Sequence, residues 1–356
     1  MNKALMSIML LALAAPAVAA EDPPNKKTEV DDAINRALEF LAATQDKNDG
    51  GWKLGAQKSP AVTSLAVMAF LSAGHVPGEG KYGDVVDKGI RWVLKAQQPN
   101  GLLTNDGNYE MYNHGIATLM LAEVAGMTDG KLAEEVRPKL GKAVAVILKA
   151  QRTGSSPAAG GWRYHVQNVG EGSDISVTGW QIMALRASKN LGCDVPAEVI
   201  DNAVGFIKRC QDKNTGGFRY TPNDGLTVPC TGTSILALEL CGKDTHRSPE
   251  VLQAGAFLIK EQNLPRWGGT RFFFYSLYYC SQATFQLGGN YREVFRPKLY
   301  EVLLRNQRGN GSWIGPNEDA TLGPNYCTAM GVLALTVEYR FLPIYQRDEE
   351  SAQGNK

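Results

Sequence analysis

The chain has 356 residues, 44% of them hydrophobic and 21% charged, with 37 Lys+Arg against 36 Asp+Glu. That is ordinary globular composition, and a near-neutral balance without any basic run argues against a nucleic-acid partner.

Residues 1–20 read as an export signal. Lys3 precedes an apolar run from Ala4 to Ala15, and Ala17-Val18-Ala19 or Val18-Ala19-Ala20 supplies small residues for cleavage. The run is too short to span a bilayer. An exported product, periplasmic or secreted, is therefore expected, with residues 21–28 a flexible lead-in. The six cysteines (Cys193, Cys210, Cys230, Cys241, Cys280, Cys327) show no CxxC spacing, so most are expected as buried thiols. Cys193 and Cys241, each just after an apolar helical run, are the candidate disulfide pair.

One unit recurs through residues 29–345: a helical stretch ending in Gln, a Gly-rich turn, and usually an aromatic residue. It reads Gln45 to Gly51-Trp52, Gln97 to Gly101-Leu102, Gln151 to Gly161-Trp162, Gln211 to Gly217-Phe218, Gln262 to Trp267-Gly268, and Gln307 to Gly311-Ser312-Trp313. Before each Gln lies an amphipathic run, such as Val30–Leu41, expected as an outer helix with one wet face. After each turn lies a more apolar run: Ala61 to Ala73, Ile116 to Ala125, Ile175 to Ala187, Thr231 to Leu240, Phe272 to Leu287, and Tyr326 to Val337. Helices apolar nearly all round must be enclosed. Six such hairpins close into an all-α (α/α)6 toroid, a double ring of six inner and six outer helices; an open solenoid is the alternative. Residues 346–356 are expected as a disordered tail.

The Gln, Gly and Trp spacing resembles the QW repeat of squalene-hopene cyclases, oxidosqualene cyclases and protein prenyltransferases, which share an alpha-alpha toroid. The resemblance covers about residues 30–340, and it implies that the Gln and the aromatic residue tie each outer helix to the next hairpin. It implies much less about chemistry. The Asp-x-Asp-Asp proton donor of those cyclases is absent; the nearest stretch is Asn317-Glu318-Asp319-Ala320-Thr321, an acid site or a solvated loop. The Asp-x-Cys of the prenyltransferase zinc site is also absent, although His114, Cys230 and Cys327 lie near inner-helix starts. Glu261-Gln262 lacks the Cys of a complement-type thioester, Ile259 standing in its place. No metal or cofactor is expected. Asp46-Lys47-Asn48-Asp49-Gly50 and Asp212-Lys213-Asn214-Thr215-Gly216 resemble the start of a calcium loop but lack its later Glu, and read as turns.

In a toroid all inner helices start at one mouth, where their N-terminal dipoles converge. Lys53, Arg163, Arg219 and Arg266 stand beside the turn aromatics, with Arg271 close behind; they either hold an anion at the mouth or form surface ion pairs. Phe272-Phe273-Phe274-Tyr275-Ser276-Leu277-Tyr278-Tyr279 must turn one face to the axis. There Phe274 or Tyr275 with Tyr278, joined by Tyr112, His114, Trp180 and Tyr326, either wall a pocket or pack on one another. A pocket of rings suits an isoprenoid chain, and equally a sugar.

Three functions follow as expectations. One is an exported cyclase-like enzyme or carrier for an apolar small molecule or lipid. The second is a non-enzymatic toroid that binds a protein or glycan, with peripheral membrane contact open to either. The third is a polysaccharide lyase or hydrolase, for which Asp174, Glu318 and Asp319, with Arg163 or Arg219, are the catalytic candidates. The expected export, and the expectation of a single toroid without a second helical domain, weigh against the cytoplasmic chemistry of the family.

Overall fold

A computed structural model describes residues 24–167, 172–241 and 245–346. The expected signal at 1–20 lies outside these residues, as does the expected tail at 346–356 except for Gln346, which is hydrogen-bonded to Arg340 O. Twelve α-helices are present among them. Outer helices α1 (Pro24–Thr44), α3 (Gly83–Ala96), α5 (Gly130–Ala150), α7 (Ala197–Arg209), α9 (Pro249–Leu258) and α11 (Gly289–Asn306) alternate with inner helices. The inner set is α2 (Pro60–Ser72), α4 (Glu110–Met127), α6 (Ile175–Asn190), α8 (Val228–Leu240), α10 (Phe273–Leu287) and α12 (Glu318–Leu335). The only ladder among the described residues is a hairpin of β1 (Lys53–Leu54) on β2 (Gln57–Lys58). Helix α1 starts at Pro24, so part of the 21–28 lead-in expected as flexible is helical instead.

The inner helices pack in sequence, α2 on α4, α4 on α6, α6 on α8, α8 on α10 and α10 on α12, and α12 returns to α2. That last contact excludes the open solenoid. Each inner helix is covered on both sides, which is why α2 is buried along almost its whole length while α3 buries, beyond Gly83 at its start, only the stripe Val86, Gly89, Ile90, Val93 and Leu94.

The repeated residues are the joints. The Gln45 side-chain amide donates to Gly50 O at 2.9 Å and to Val85 O of the next outer helix at 2.8 Å. Gln97 does the same to Gly101 and Lys139, Gln151 to Gly160 and Val199, and Gln211 to Gly216 and Glu250. Gln307 reaches back to Ala33 O at 2.8 Å in α1, closing the outer ring. The buried indoles then tie the turn inward: Trp52 Nε1 donates to Leu41 O, Trp162 Nε1 to Ile147 O and Trp313 Nε1 to Leu303 O. Their backbone N–H groups donate to Thr63, Thr178 and Thr328 of the following inner helix, as that of Phe218 does to Thr231.

Two units differ from the sequence reading. In the second, Leu103 rather than Leu102 takes the aromatic's place, because its N–H makes the equivalent inward bond, here to His114 Nδ1 at 3.0 Å. In the fifth, Gln262 is exposed and Trp267 is 37% exposed, and Asn263 instead bonds Phe257 O. All six cysteines are free thiols, so the Cys193–Cys241 pairing does not occur. The two calcium-like segments are turns: Asp46 accepts from Asn48 N–H, and Asp212 from Asn214 and Thr215.

Candidate functional site at the inner-helix mouth

The mouth is less hungry for anions than converging dipoles imply, because the chain caps its own helices. Ser59, Asp174 and Thr227 each accept the N–H of their helix's third residue, at Val62, Val177 and Cys230. Loop carbonyls cover others, Tyr164 O accepting from Met111 N–H and Tyr220 O from Ile175 N–H, both at 2.9 Å. Two of the three expected arginines are engaged as well. Arg219 pairs with Asp212 and donates to Asp224 O, and Arg271 bonds Glu318 at 2.5 Å on the exposed rim. These two are ion pairs, not an anion cradle. Glu318 is held below the usual carboxylate range, by its own backbone N–H and then by Arg271, and it serves that rim pair.

Arg163 is different. Its guanidinium lies 4.8 Å from the centre of the Tyr164 ring and 5.3 Å from that of Tyr220, with Nη1 3.4 Å from Asp174 Oδ2. Tyr164 stacks on Tyr112 at 6.1 Å, and Tyr109, half exposed, stands edge-on to both. The Tyr164 and Tyr220 hydroxyls bond each other. Behind this basin Tyr112 Oη donates to Ser176 Oγ at 2.5 Å, and Ser176 Oγ to Asp174 Oδ1 at 2.6 Å. Asp174 is fully buried; burial raises its carboxyl, opposed by Ser176, the Val177 N–H and Arg163. Burial also raises the Tyr112, Tyr164 and Tyr220 phenols, so the basin presents neutral hydroxyls beside one guanidinium.

Asp319, at the start of α12, is the second buried carboxyl of the mouth. Its Oδ2 accepts the Phe274 N–H at 2.9 Å, while Oδ1 has no hydrogen-bond partner. Burial, only partly offset by the Phe274 and Phe273 N–H groups, lifts it to about 6, a value suited to proton donation near neutrality. The backbone around it is strained: Phe272 has φ 50° with its ring 44% exposed, and Asn317 has φ 54°. Tyr326, half-buried, lies within electrostatic reach of Asp319 and Tyr275.

Below the mouth the axis is filled. Trp180 and Tyr278 stack with centres 5.5 Å apart and planes 8° apart, and Tyr279 stands 4.9 Å from Tyr278 and 5.2 Å from Trp180. All three are 0–1% exposed. Tyr275 is next toward the mouth, its hydroxyl 2.8 Å from Thr233 Oγ1. Phe274 is not in this column: it packs between Trp267, Phe273 and the α12 backbone at Gly331. His114 is also removed from the ligand set. It is fully buried, Nδ1 accepts from Leu103 and Nε2 faces Ala143 O at 3.0 Å, so it is the second repeat's counterpart of the joint threonines. Burial depresses it to about 4, which keeps it neutral. No group of three or more His, Cys, Asp or Glu among the described residues could hold a metal ion.

The basin residues Tyr109, Tyr164, Tyr220 and Ser176 are not among the sequence candidates. A signal was present: Trp162-Arg163-Tyr164 and Phe218-Arg219-Tyr220 put a Tyr two places after the joint aromatic in successive repeats.

The sequence matches the prenyltransferase alpha-alpha toroid domain over residues 4–155 and 167–341. None of the curated proteins matches it. Among solved structures, the ring is similar to GH76A alpha-1,6-mannanase of Salegentibacter sp. HEL1_6, an inactive variant in complex with alpha-1,6-mannotriose, with a TM-score of 0.67 and 12% identity over 86% of this chain and 99% of that one. Type II terpene cyclase MstE from Scytonema, in complex with merosterolic acid A, gives a TM-score of 0.60 and 18% identity over 89% of this chain and 99% of that one. A D-mannose isomerase gives 0.62 and 12% identity over 90% of this chain and 100% of that one. At these identities the likeness is one of fold.

Proposed function

The chain belongs to the prenyltransferase alpha-alpha toroid family, and from that premise we propose that it is an exported toroid that binds a neutral glycan in the tyrosine basin of its mouth. The observation that carries this reading is the cluster of half-exposed Tyr109 and part-buried Tyr112, Tyr164 and Tyr220 around Arg163 and buried Asp174. Ring faces stack on the apolar faces of sugars, and neutral hydroxyls with one guanidinium hydrogen-bond sugar hydroxyls without demanding a charge. A mannanase and a mannose isomerase share the fold, which adds support of a general kind. The axial column, by contrast, has its rings in mutual contact where an isoprenoid chain would have to lie.

A panel of neutral oligosaccharides bound to the mature protein tests the reading. At least one glycan is expected to be retained, and Tyr164→Ala to weaken it tenfold or more, as loss of a central aromatic contact does. Retention unchanged in Tyr164→Ala contradicts the basin as the site.

A second reading, an apolar isoprenoid-type ligand in the axis, is favoured by two buried polar atoms there that lack hydrogen-bond partners, Trp180 Nε1 and Tyr279 Oη. A terpene cyclase shares the fold. On that reading Asp319 is the proton donor, and Asp319→Asn removes turnover while leaving binding.

A further inference from the structure

The end of the ring opposite the mouth is closed by residues that follow the last inner helix. After α12 and a short 3-10 turn at Thr336–Tyr339, the chain bends at Arg340, where φ is 56°. Phe341 remains 47% exposed, but Leu342, Ile344 and Tyr345 are 4–5% exposed. Pro343 lies against α4 at Gly126, and a second 3-10 turn, Pro343–Tyr345, packs on α4 and α6. From there Tyr345 Oη reaches Tyr278 Oη at 2.5 Å, at the foot of the Trp180 stack.

Apart from that hydroxyl pair, the polar hold on this segment is slight. Ile344 N–H donates to Glu123 Oε2 at 3.3 Å, a long bond, and Glu123 Oε1 is buried without a partner. Trp180 Nε1 and Tyr279 Oη, in the ring stack that Tyr278 anchors, are partnerless too. Such a seat is less finished than the joints of the repeats, where the Gln amides each satisfy two carbonyls.

We propose that Leu342–Gln346 is a displaceable stopper of the axis, latched by Glu123, and that its release opens the aromatic column from the end opposite the mouth. A neutral carboxyl tolerates this site; a carboxylate does not, because one long N–H contact cannot replace hydration. Burial pushes Glu123 up to about 8, with the Ile344 N–H opposing and no cation contributing. The titratable groups that face it are Tyr278 from α10 and Tyr345 from the stopper, both raised further by burial and therefore neutral there. Ionisation above about pH 8 thus leaves a bare buried charge, which water relieves once the stopper lifts about Arg340. This inference is independent of which ligand the mouth takes.

Hydrogen exchange of the full-length protein from pH 6 to 9, corrected for intrinsic base catalysis, tests it. Peptides spanning 341–346 are expected to lose protection at least tenfold by pH 9 while α10 and α12 keep theirs. Glu123→Gln, which keeps the acceptor and cannot ionise, is expected to hold the stopper closed throughout. A Cβ on Gly126 lies 3.6 Å from that of Pro343, within disulfide reach, so the oxidised pair Gly126→Cys with Pro343→Cys should suppress the opening and its reduction restore it. No loss of protection up to pH 9, an equal loss in Glu123→Gln, or a loss shared by the inner helices overturns the proposal.

Discussion

At Gly160 the backbone has φ 92°, and a Cβ would lie 2.1 Å from Asn202 O in the neighbouring outer helix. Gly154 has φ 97° with nothing within 4 Å. The pair separates backbone strain from close approach. Gly154→Ala is expected to cost about 1 kcal/mol and Gly160→Ala about 3 kcal/mol or more, read as urea midpoints. A similar loss at both sites would mean that the outer helix yields. His114 gives a pH prediction of definite sign. Its folded value of about 4 lies below the usual 6.5, so the unfolded chain binds more protons between them, and stability is lost as pH falls from 6.5 towards 4. In His114→Gln, unfolding midpoints across that range should depend less steeply on pH. The sequence did not distinguish this joint from a cavity ligand, because a His at an inner-helix start reads the same until its two ring nitrogens are placed.

The Gln and its turn were legible in five of six repeats and the inward-tied residue in four, and the failure in the fifth has a local cause. Two residues before each working aromatic stands a glycine of positive φ: Gly50, Gly160, Gly216 and Gly311, and Gly101 before Leu103. Before Trp267 that place is Pro265, whose ring holds φ negative, so the turn cannot bring Gln262 and Trp267 together. Reading the glycine rather than the aromatic would also have selected Leu103 over Leu102. Accordingly Gln307→Ala, which breaks the ties to Ala33 and Gly311 and the exposed one from Arg36, should lower stability by about 2 kcal/mol, chiefly one for each of the two part-buried bonds, and Gln262→Ala should be nearly neutral. Equal effects in thermal or urea unfolding would show that the fifth repeat keeps a joint.

For the molecule as a whole, the return of α12 onto α2 and of Gln307 onto α1 makes the terminal repeats neighbours. An open array frays from its ends; a closed ring has none. Hydrogen exchange in α2 and α12 should therefore be as slow as in α6 and α8, and faster exchange at the two terminal repeats would contradict closure. Fold and closure were readable because each repeat states the same two helices and the same joint. The division between an open mouth and a filled axis was not, since it depends on which faces of Tyr275, Tyr278, Tyr279 and Trp180 meet across the ring, and Phe274 turned out to face the other way. That division carries the functional reading. Mass spectrometry of an organic extract from the folded protein tests it most directly: no apolar ligand at molar equivalence is expected, because the rings of the axis occupy the column. A stoichiometric isoprenoid in that extract would contradict the filled axis and move the ligand from the tyrosine basin into the ring.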